Sequence, residues 1–233
     1  MRTITFFFFS LFIIVHFPMF CPLCQSVNAS SHYHSDKKRD YLQCNHCKLV
    51  YISPEFLPSK EVEKQEYDLH ENSFEDKGYR KFLRKVLTPL TPFIESAKDS
   101  ELAGLDFGCG PAPVLASMLE EEGVRMNIYD PFYANNLSVL EQTYDVVTCT
   151  EAIEHFHVPH EEWALFNKLV VSGGVLAIMT KRVLDKARFA NWHYKNDITH
   201  VSFFSEATFH YLAQRDGYEV SFPANDVVLM KKR

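Results

Sequence analysis

The sequence predicts an α/β fold: a doubly wound, mostly parallel sheet with a C-terminal antiparallel strand, preceded by a small cysteine-bearing module. Three observations carry this. Apolar runs alternate with amphipathic ones from residue 101 onward. A glycine-bearing turn, LDFGCGPAP at 105–113, follows the first of those runs. Four cysteines in the pattern C-x2-C-x19-C-x2-C stand ahead of both.

The elements follow in chain order. ELAGLDFG reads as a strand ending at a glycine turn, APVLASMLEEEG as a helix closed at Gly123, and VRMNIYD as a second strand ending in Asp130. YDVVTCTE is a third apolar strand, and PHEEWALFNKLVVSGG an amphipathic helix closed by Gly173 and Gly174. VLAIMTKRV is a further strand. SEATFHYLAQRDG is a helix with Ser205 as N-cap and Gly217 past its end. YEVSFP and DVVLMKK close the chain as two strands with a short link, an antiparallel pair at the sheet edge. Alternation of this kind buries a parallel sheet between helices on both faces.

Before the sheet, residues 56–100 read as a helical linker or lid. Tyr79, Phe82, Leu83, Val86 and Leu87 lie at helical spacing, and Pro89 and Pro92 are expected to end that helix. YDLHEN, 67–72, is either an exposed helix face or a cover over a ligand. The cysteine module spans 19–55. Two C-x2-C knuckles, Cys21/Cys24 and Cys44/Cys47, each offer two thiolates to one face, and together they suit a tetrahedral structural zinc. Two-residue loops make poor structural disulfides, and zinc thiolates imply a reducing, cytoplasmic setting.

At 233 residues the chain holds one sizeable core and a small appendage. A net charge of −6 argues against a broad nucleic-acid footprint. DKKRD, 36–40, is the one modest basic cluster between the knuckles. The leader 1–18 belongs to an apolar block, Ile4–Phe20, shorter than the roughly 20 residues a span requires. It reads as a membrane anchor, as a signal peptide without a small-x-small cleavage site, or as an extension upstream of a start at Met19. No stable membrane span is favoured.

Ligands of such sheets bind at the carboxyl ends of the strands. Gly108 and Gly110 let the backbone approach a ligand there, and Asp130, ending the second strand, can accept hydrogen bonds from ribose hydroxyls. A dinucleotide fingerprint would need a third glycine, which Gly108-Cys109-Gly110-Pro111-Ala112-Pro113 lacks. Asp106 ill suits an anionic pyrophosphate and better suits a ligand bearing an ammonium and a sulfonium.

On LDFGCGP, Asp130, YDVVTCTEAIEHF, SGGVLAIMT and the C-terminal strand pair, residues 101–233 resemble the class I S-adenosylmethionine-dependent methyltransferases. The cysteine pairs resemble members that carry a small zinc module ahead of the catalytic domain. The resemblance implies a Rossmann-like domain in which Asp106, Gly108 and Gly110 flank the methionine part of S-adenosylmethionine. It implies that Asp130 holds the ribose and that Thr150 and Glu151 line the pocket. One departure stands out: only PFYANNLSVLEQT separates Asp130 from the third strand, where the family usually has a helix and another strand. Ser138–Leu140 is then a vestigial strand, and Phe132 or Tyr133 would cover the adenine.

Two histidine-bearing patches remain. EAIEHFH holds Glu154, His155 and His157; the resemblance marks Glu154 and His155 as a common family feature, structural at a helix start or directly catalytic, with His155 the catalytic candidate. NWHYKNDITHVSFFS holds Trp192, His193, Tyr194, Asp197 and His200, with no clear metal-ligand spacing. It is a substrate-facing loop or a polar cap on the last helix. As a substrate-facing loop, it makes Asp197 and His200 a pair in which the carboxylate orients the ring and the imidazole takes the acceptor's proton. The expected function is methyl transfer to a small-molecule acceptor. The alternatives are an RNA methyltransferase gripping nucleic acid through the ribbon, or a non-catalytic module on the same fold. The sequence specifies neither the acceptor nor the oligomeric state.

Overall fold

The computed structural model describes residues 19–69, 73–97 and 100–233. The leader 1–18 and the last three residues of YDLHEN lie outside the described residues.

The N-terminal module is built on two matching knuckles. Each is closed by a residue in the left-handed region directly after its second cysteine, Gln25 (φ 59°) and Lys48 (φ 64°). Their amides donate to the carbonyls of Cys21 and Cys44, both at 3.0 Å. Between the knuckles run β1 (Ser30–Ser35) and β2 (Asp40–Cys44), and β3 (Val50–Ile52) follows. These strands form an antiparallel sheet whose fourth member, β8 (Ser202–Phe203), arrives from the far end of the chain. Val50 pairs with Phe203 and Tyr51 with Ser202.

Two helices lead to the main sheet. In α1 (Lys60–Tyr67), Ser59 caps the start by accepting from the Val62 amide, and only Glu63 is buried. α2 (Lys77–Ser96) starts at Asp76, which accepts from the amides of Gly78 and Tyr79. The prolines do not end α2; it runs through Pro89 and Pro92 to Ser96. The buried stripe Leu83, Val86, Leu87, Leu90 and Ile94 continues past both prolines, so packing outweighs their helix-breaking tendency.

The main sheet has the order β5-β4-β6-β7-β10-β9. Its strands are β4 (Ala103–Phe107), β5 (Arg125–Tyr129), β6 (Tyr144–Thr150), β7 (Val170–Met179), β9 (Tyr218–Ala224) and β10 (Val227–Lys232). The first four run parallel, while β10 pairs antiparallel with β7 and with β9. The predicted doubly wound architecture is therefore present. Alternate residues of one strand enter opposite cores: Val175, Ala177 and Met179 pack with α2 and with α3 (Val114–Glu121). Leu176 and Ile178 pack with α4 (Pro159–Leu169) and α6 (Glu206–Asp216), between which the short α5 (Lys186–Ala190) follows β7. The ribbon's Leu23, Leu49 and Tyr51 join this second core. α6 has the expected ends, with Ser205 accepting from the Thr208 amide and Gly217 at φ 77°.

Two elements differ from expectation. Gly173 and Gly174 do not close α4, which ends at Leu169; they lie inside β7. The register jumps from Tyr144↔Val170 to Val146↔Val175, so the glycines sit in a bulge. Gly173 has φ +84°, and a Cβ on Gly174 would fall 2.9 Å from the Asp145 carbonyl. Ser138–Leu140 is not a strand but the middle of a 3-10 turn, Leu137–Glu141, in which the Asn136 side chain caps the Ser138 amide. Among the described residues no helix is long and apolar enough to cross a membrane.

Candidate active site

The ends of β4, β5 and β6 meet at one edge. A Cβ on Gly108 (φ +75°) would fall 2.6 Å from that of Ala152, so the turn after β4 abuts the loop after β6. A Cβ on Gly110 (φ +64°) would meet nothing within 4 Å, which leaves that face of the backbone open to a ligand. The Gly110 amide donates to Asp130 Oδ2 at 3.0 Å. The amides of Phe132 and Tyr133 donate to Oδ1 at 2.8 and 3.1 Å. Asp130 thus ties the two turns together, and of a carboxylate's roughly four acceptor positions one remains for a ligand hydroxyl.

Asp106 reaches inward instead. It is 2% exposed and accepts from Thr148 Oγ1 at 2.6 Å. Burial pushes its carboxyl up to about 6 against the opposing bonds from Thr148 and the Ala116 amide. Thr150 ends β6, and Glu151 follows it at φ +48°, a conformation that costs a side-chain-bearing residue about 1–2 kcal/mol. Its amide donates to the Met179 carbonyl at 2.8 Å. Such strain concentrates where a backbone must serve a ligand.

Beside this edge lies a buried acid–imidazole cluster. Glu154, 1% exposed, accepts from Thr180 Oγ1 at 2.9 Å and from the Tyr194 hydroxyl. His155 Nδ1 lies 3.1 Å from the Thr199 carbonyl and His200 Nδ1 2.7 Å from the Tyr194 carbonyl. Both Nδ1 atoms therefore donate, so in the neutral form of either ring the lone pair lies on Nε2. The two rings stand 4.7 Å apart. Ligating atoms of Glu154, His155 and His200 lie within 4.8 Å of one another, close enough to hold a metal ion.

Asp197 does join His200, yet it does not orient the ring as the sequence suggested. Its Oδ2 stands 3.7 Å from Nε2, beyond hydrogen-bond range, while Oδ1 accepts from the amide and hydroxyl of Thr199. The Tyr194 carbonyl sets the tautomer. Burial, and then the neighbouring His155, lower the His200 pKa, so this imidazole is held neutral.

A cover closes over the cluster. The Tyr67 ring packs edge-on against Phe132 at 5.6 Å and against His155 at 5.1 Å, spanning the Asp130 side and the histidine side. Its helix is moored by His157 Nε2 donating to buried Glu63 at 2.8 Å. Tyr133 adds a second tie, donating to Asp68 at 2.7 Å. From α2, Tyr79 lies where burial and the charges of Asp106 and Glu151 push its hydroxyl up to about 12. The sequence left Tyr67 either on an exposed face or in a cover, placed Tyr79 in a helical stripe and Tyr194 in the 192–200 loop, but gave none of them a particular contact; the packing against Phe132 and His155 and the bond to Glu154 appear only once the fold surrounds them.

The cysteine cluster stands apart from this edge. Cys21 and Cys47 have sulfurs 3.6 Å apart, as do Cys24 and Cys44. Four thiolates at about 2.3 Å from a tetrahedral zinc lie about 3.8 Å from one another, so the donor set fits a zinc ribbon. His46 bonds to Ser26 and His32 to Ser35, outside that set.

The chain is similar to several solved methyltransferases, each with a TM-score below 0.5. An O-methyltransferase family protein from Burkholderia thailandensis is 14% identical, with a TM-score of 0.45 over 68% of this chain and 61% of that one. The DszA carbon methyltransferase is 12% identical, with a TM-score of 0.49 over 71% and 56%. The plantazolicin methyltransferase BpumL, solved with a substrate analogue and SAH, is 15% identical, with a TM-score of 0.45 over 76% and 91%. The chain thus spans less than two thirds of the length of the first two. No curated protein matches it. The methyltransferase domain family matches residues 79–221, from the start of α2 into β9 and across the whole edge just described, and the chain belongs to that family.

Proposed function

We propose that the chain transfers a methyl group from S-adenosylmethionine to a small-molecule acceptor. The observation that carries this is the open backbone at Gly110, tied through Asp130 to the turn after β5 and lying beside the Glu154–His155–His200 cluster. The sulfonium supplies an already activated methyl group. The protein's own work is to bind, to align and to receive a proton. Gly108 and Gly110 leave room for the methionine part, while buried Asp106 ties the end of β4 to β6 through Thr148. Asp130 offers its remaining lone pair to a ribose hydroxyl, Phe132 or Tyr133 flanks the adenine, and Thr150 and Glu151 line the pocket. His200, with Nε2 as acceptor, takes the proton as the acceptor's heteroatom bonds to the methyl carbon and the carbon–sulfur pair returns to sulfur. His155 and Asp197 bound that space.

A second reading shares the site. Glu154, His155 and His200 are a donor set suited to a divalent cation, which would hold the acceptor's oxygen in place of a free base. Manganese titration followed by electron paramagnetic resonance distinguishes the two: stoichiometric binding abolished in Glu154→Gln favours the cation. The RNA alternative loses support, since of DKKRD only Lys37 and Lys38 are exposed, while Arg39 is buried.

The central test incubates the protein and a cell extract with methyl-labelled S-adenosylmethionine and reads products by mass spectrometry. A labelled small molecule is expected. Calorimetry showing NADH bound in place of S-adenosylmethionine would overturn the reading.

A further inference from the structure

DKKRD reads in sequence as a modest basic cluster, but the structure turns one of its members inward. Arg39 is 7% exposed at the start of the hairpin's second strand. One guanidinium nitrogen donates to the carbonyls of Ile198 and His200 at 3.2 and 3.1 Å, the other to those of Asp197, at 2.9 Å, and Lys195. Four carbonyls within six residues converge on one side chain. A planar fork with several fixed donors can satisfy such a set; an ammonium, a point donor, cannot reach all four at once.

The surroundings lock the guanidinium in place. Asp36 accepts from the amides of Lys38 and Arg39, from the Tyr41 hydroxyl and from Lys195 Nζ. Lys195 is itself buried at 4% exposure. The opposing Asp36 carboxylate and Lys195 ammonium, 2.9 Å apart, leave the Arg39 charge to the loop carbonyls. Tyr41, Phe189, Tyr194 and Phe203 pack around them in a separate apolar cluster. Further along, the Ile52 amide donates to the Val201 carbonyl at 3.0 Å, so the strand after the loop is also held from the ribbon. Arg39 immediately precedes β2, and the strand's other end carries the thiol of Cys44.

We infer that Arg39 is a positioning residue: it fixes the conformation of the 194–200 loop and so the place of the His200 ring, making the cysteine module the foundation of the acceptor side of the site. This rests on the methyl-transfer reading for the loop's role, though not for its conformation. The module then acts as an internal buttress rather than an arm for an outside partner. The half of the site formed by β4, β5 and β6 makes no use of Arg39, so cofactor binding and loop order are separable.

The test is hydrogen–deuterium exchange on the full chain and on Arg39→Gln and Arg39→Lys, with S-adenosylhomocysteine affinity measured on each by calorimetry. Amides of 194–201 should exchange at least roughly tenfold faster in Arg39→Gln and at an intermediate rate in Arg39→Lys, which restores the charge and part of the bonding. Exchange in β4–β6 and S-adenosylhomocysteine affinity should stay within about twofold of the wild type. Unchanged exchange in 194–201 overturns the inference. Faster exchange throughout β4–β6 in both variants also overturns it, because Arg39 would then support the fold as a whole. If S-adenosylhomocysteine binds none of the three proteins, the methyl-transfer reading fails while the loop result still stands.

Discussion

Asp106 and His200 are buried titratable residues whose protonation is set by their surroundings. The Asp106 carboxyl has a folded pKa of about 6 against an ordinary 3.8, because burial disfavours its charge. A raised acid pKa leaves stability intact below pH 3.8 and removes it as pH rises toward 6, since the native state then holds the proton more tightly. Asp106→Asn should therefore be more stable than wild type at pH 7, by up to about 3 kcal/mol, and equal to it near pH 3. Urea denaturation at the two pH values measures this, and weakened S-adenosylmethionine binding in the same variant would mark the ionised carboxylate as serving the ligand. For His200→Ala, once the labelled product is known, turnover should fall roughly 100-fold with cofactor affinity nearly unchanged. A variant with a lower melting temperature and full turnover per folded molecule would leave only a structural role. At this scale the sequence was partly legible. Gly108, Gly110 and Asp130 announce themselves by spacing after strands. The Tyr194 carbonyl, which sets the His200 tautomer, is a backbone group that no residue pattern can report.

Among the elements, α1 was the hardest to anticipate. Its eight residues, KEVEKQEY, bury only Glu63, so no apolar periodicity marks it. It is held by polar ties and by Tyr67, whose two edge-on ring contacts are worth about 0.5–1.5 kcal/mol each. Tyr67→Ala should accelerate exchange in residues 60–67 and weaken S-adenosylhomocysteine binding by about three- to tenfold; unchanged affinity would show that α1 covers nothing the ligand uses. The central strands β4, β6 and β7 were legible from their buried apolar runs, whereas β5 and β9, half-exposed at the sheet edges, were legible from their place in the alternation and the turn residues beside them. The bulge in β7 was not, since glycine after a helix commonly signals its end. Nor were prolines inside α2 a reliable stop, because burial of five aliphatic side chains outweighs two missing amides.

For the whole molecule, the ribbon and the sheet are one body. Cys21, Cys44 and Cys47 share an apolar cluster with Phe166, Phe209 and Met230. Cys44→Ser should abolish zinc loading, read by metal analysis, and lower a single calorimetric transition rather than remove the first of two. A persistent second transition at the wild-type temperature would show that the sheet folds without the module. The alternation of strands and helices revealed the sheet, and the cysteine spacing revealed the ribbon. Their union was hidden, because it depends on pairings between residues far apart in sequence. That separation has a consequence in time. β3 is synthesised about 150 residues before its partner β8. At about 5–20 residues per second, the nascent ribbon waits on the order of ten to thirty seconds with one edge unpaired and Leu49 and Tyr51 uncovered. During that interval only contacts within the module, the clustered thiols of Cys21, Cys24, Cys44 and Cys47 among them, can keep the three strands in register, so a zinc ion held by that donor set would protect the chain while it is still being synthesised rather than only at the finished fold.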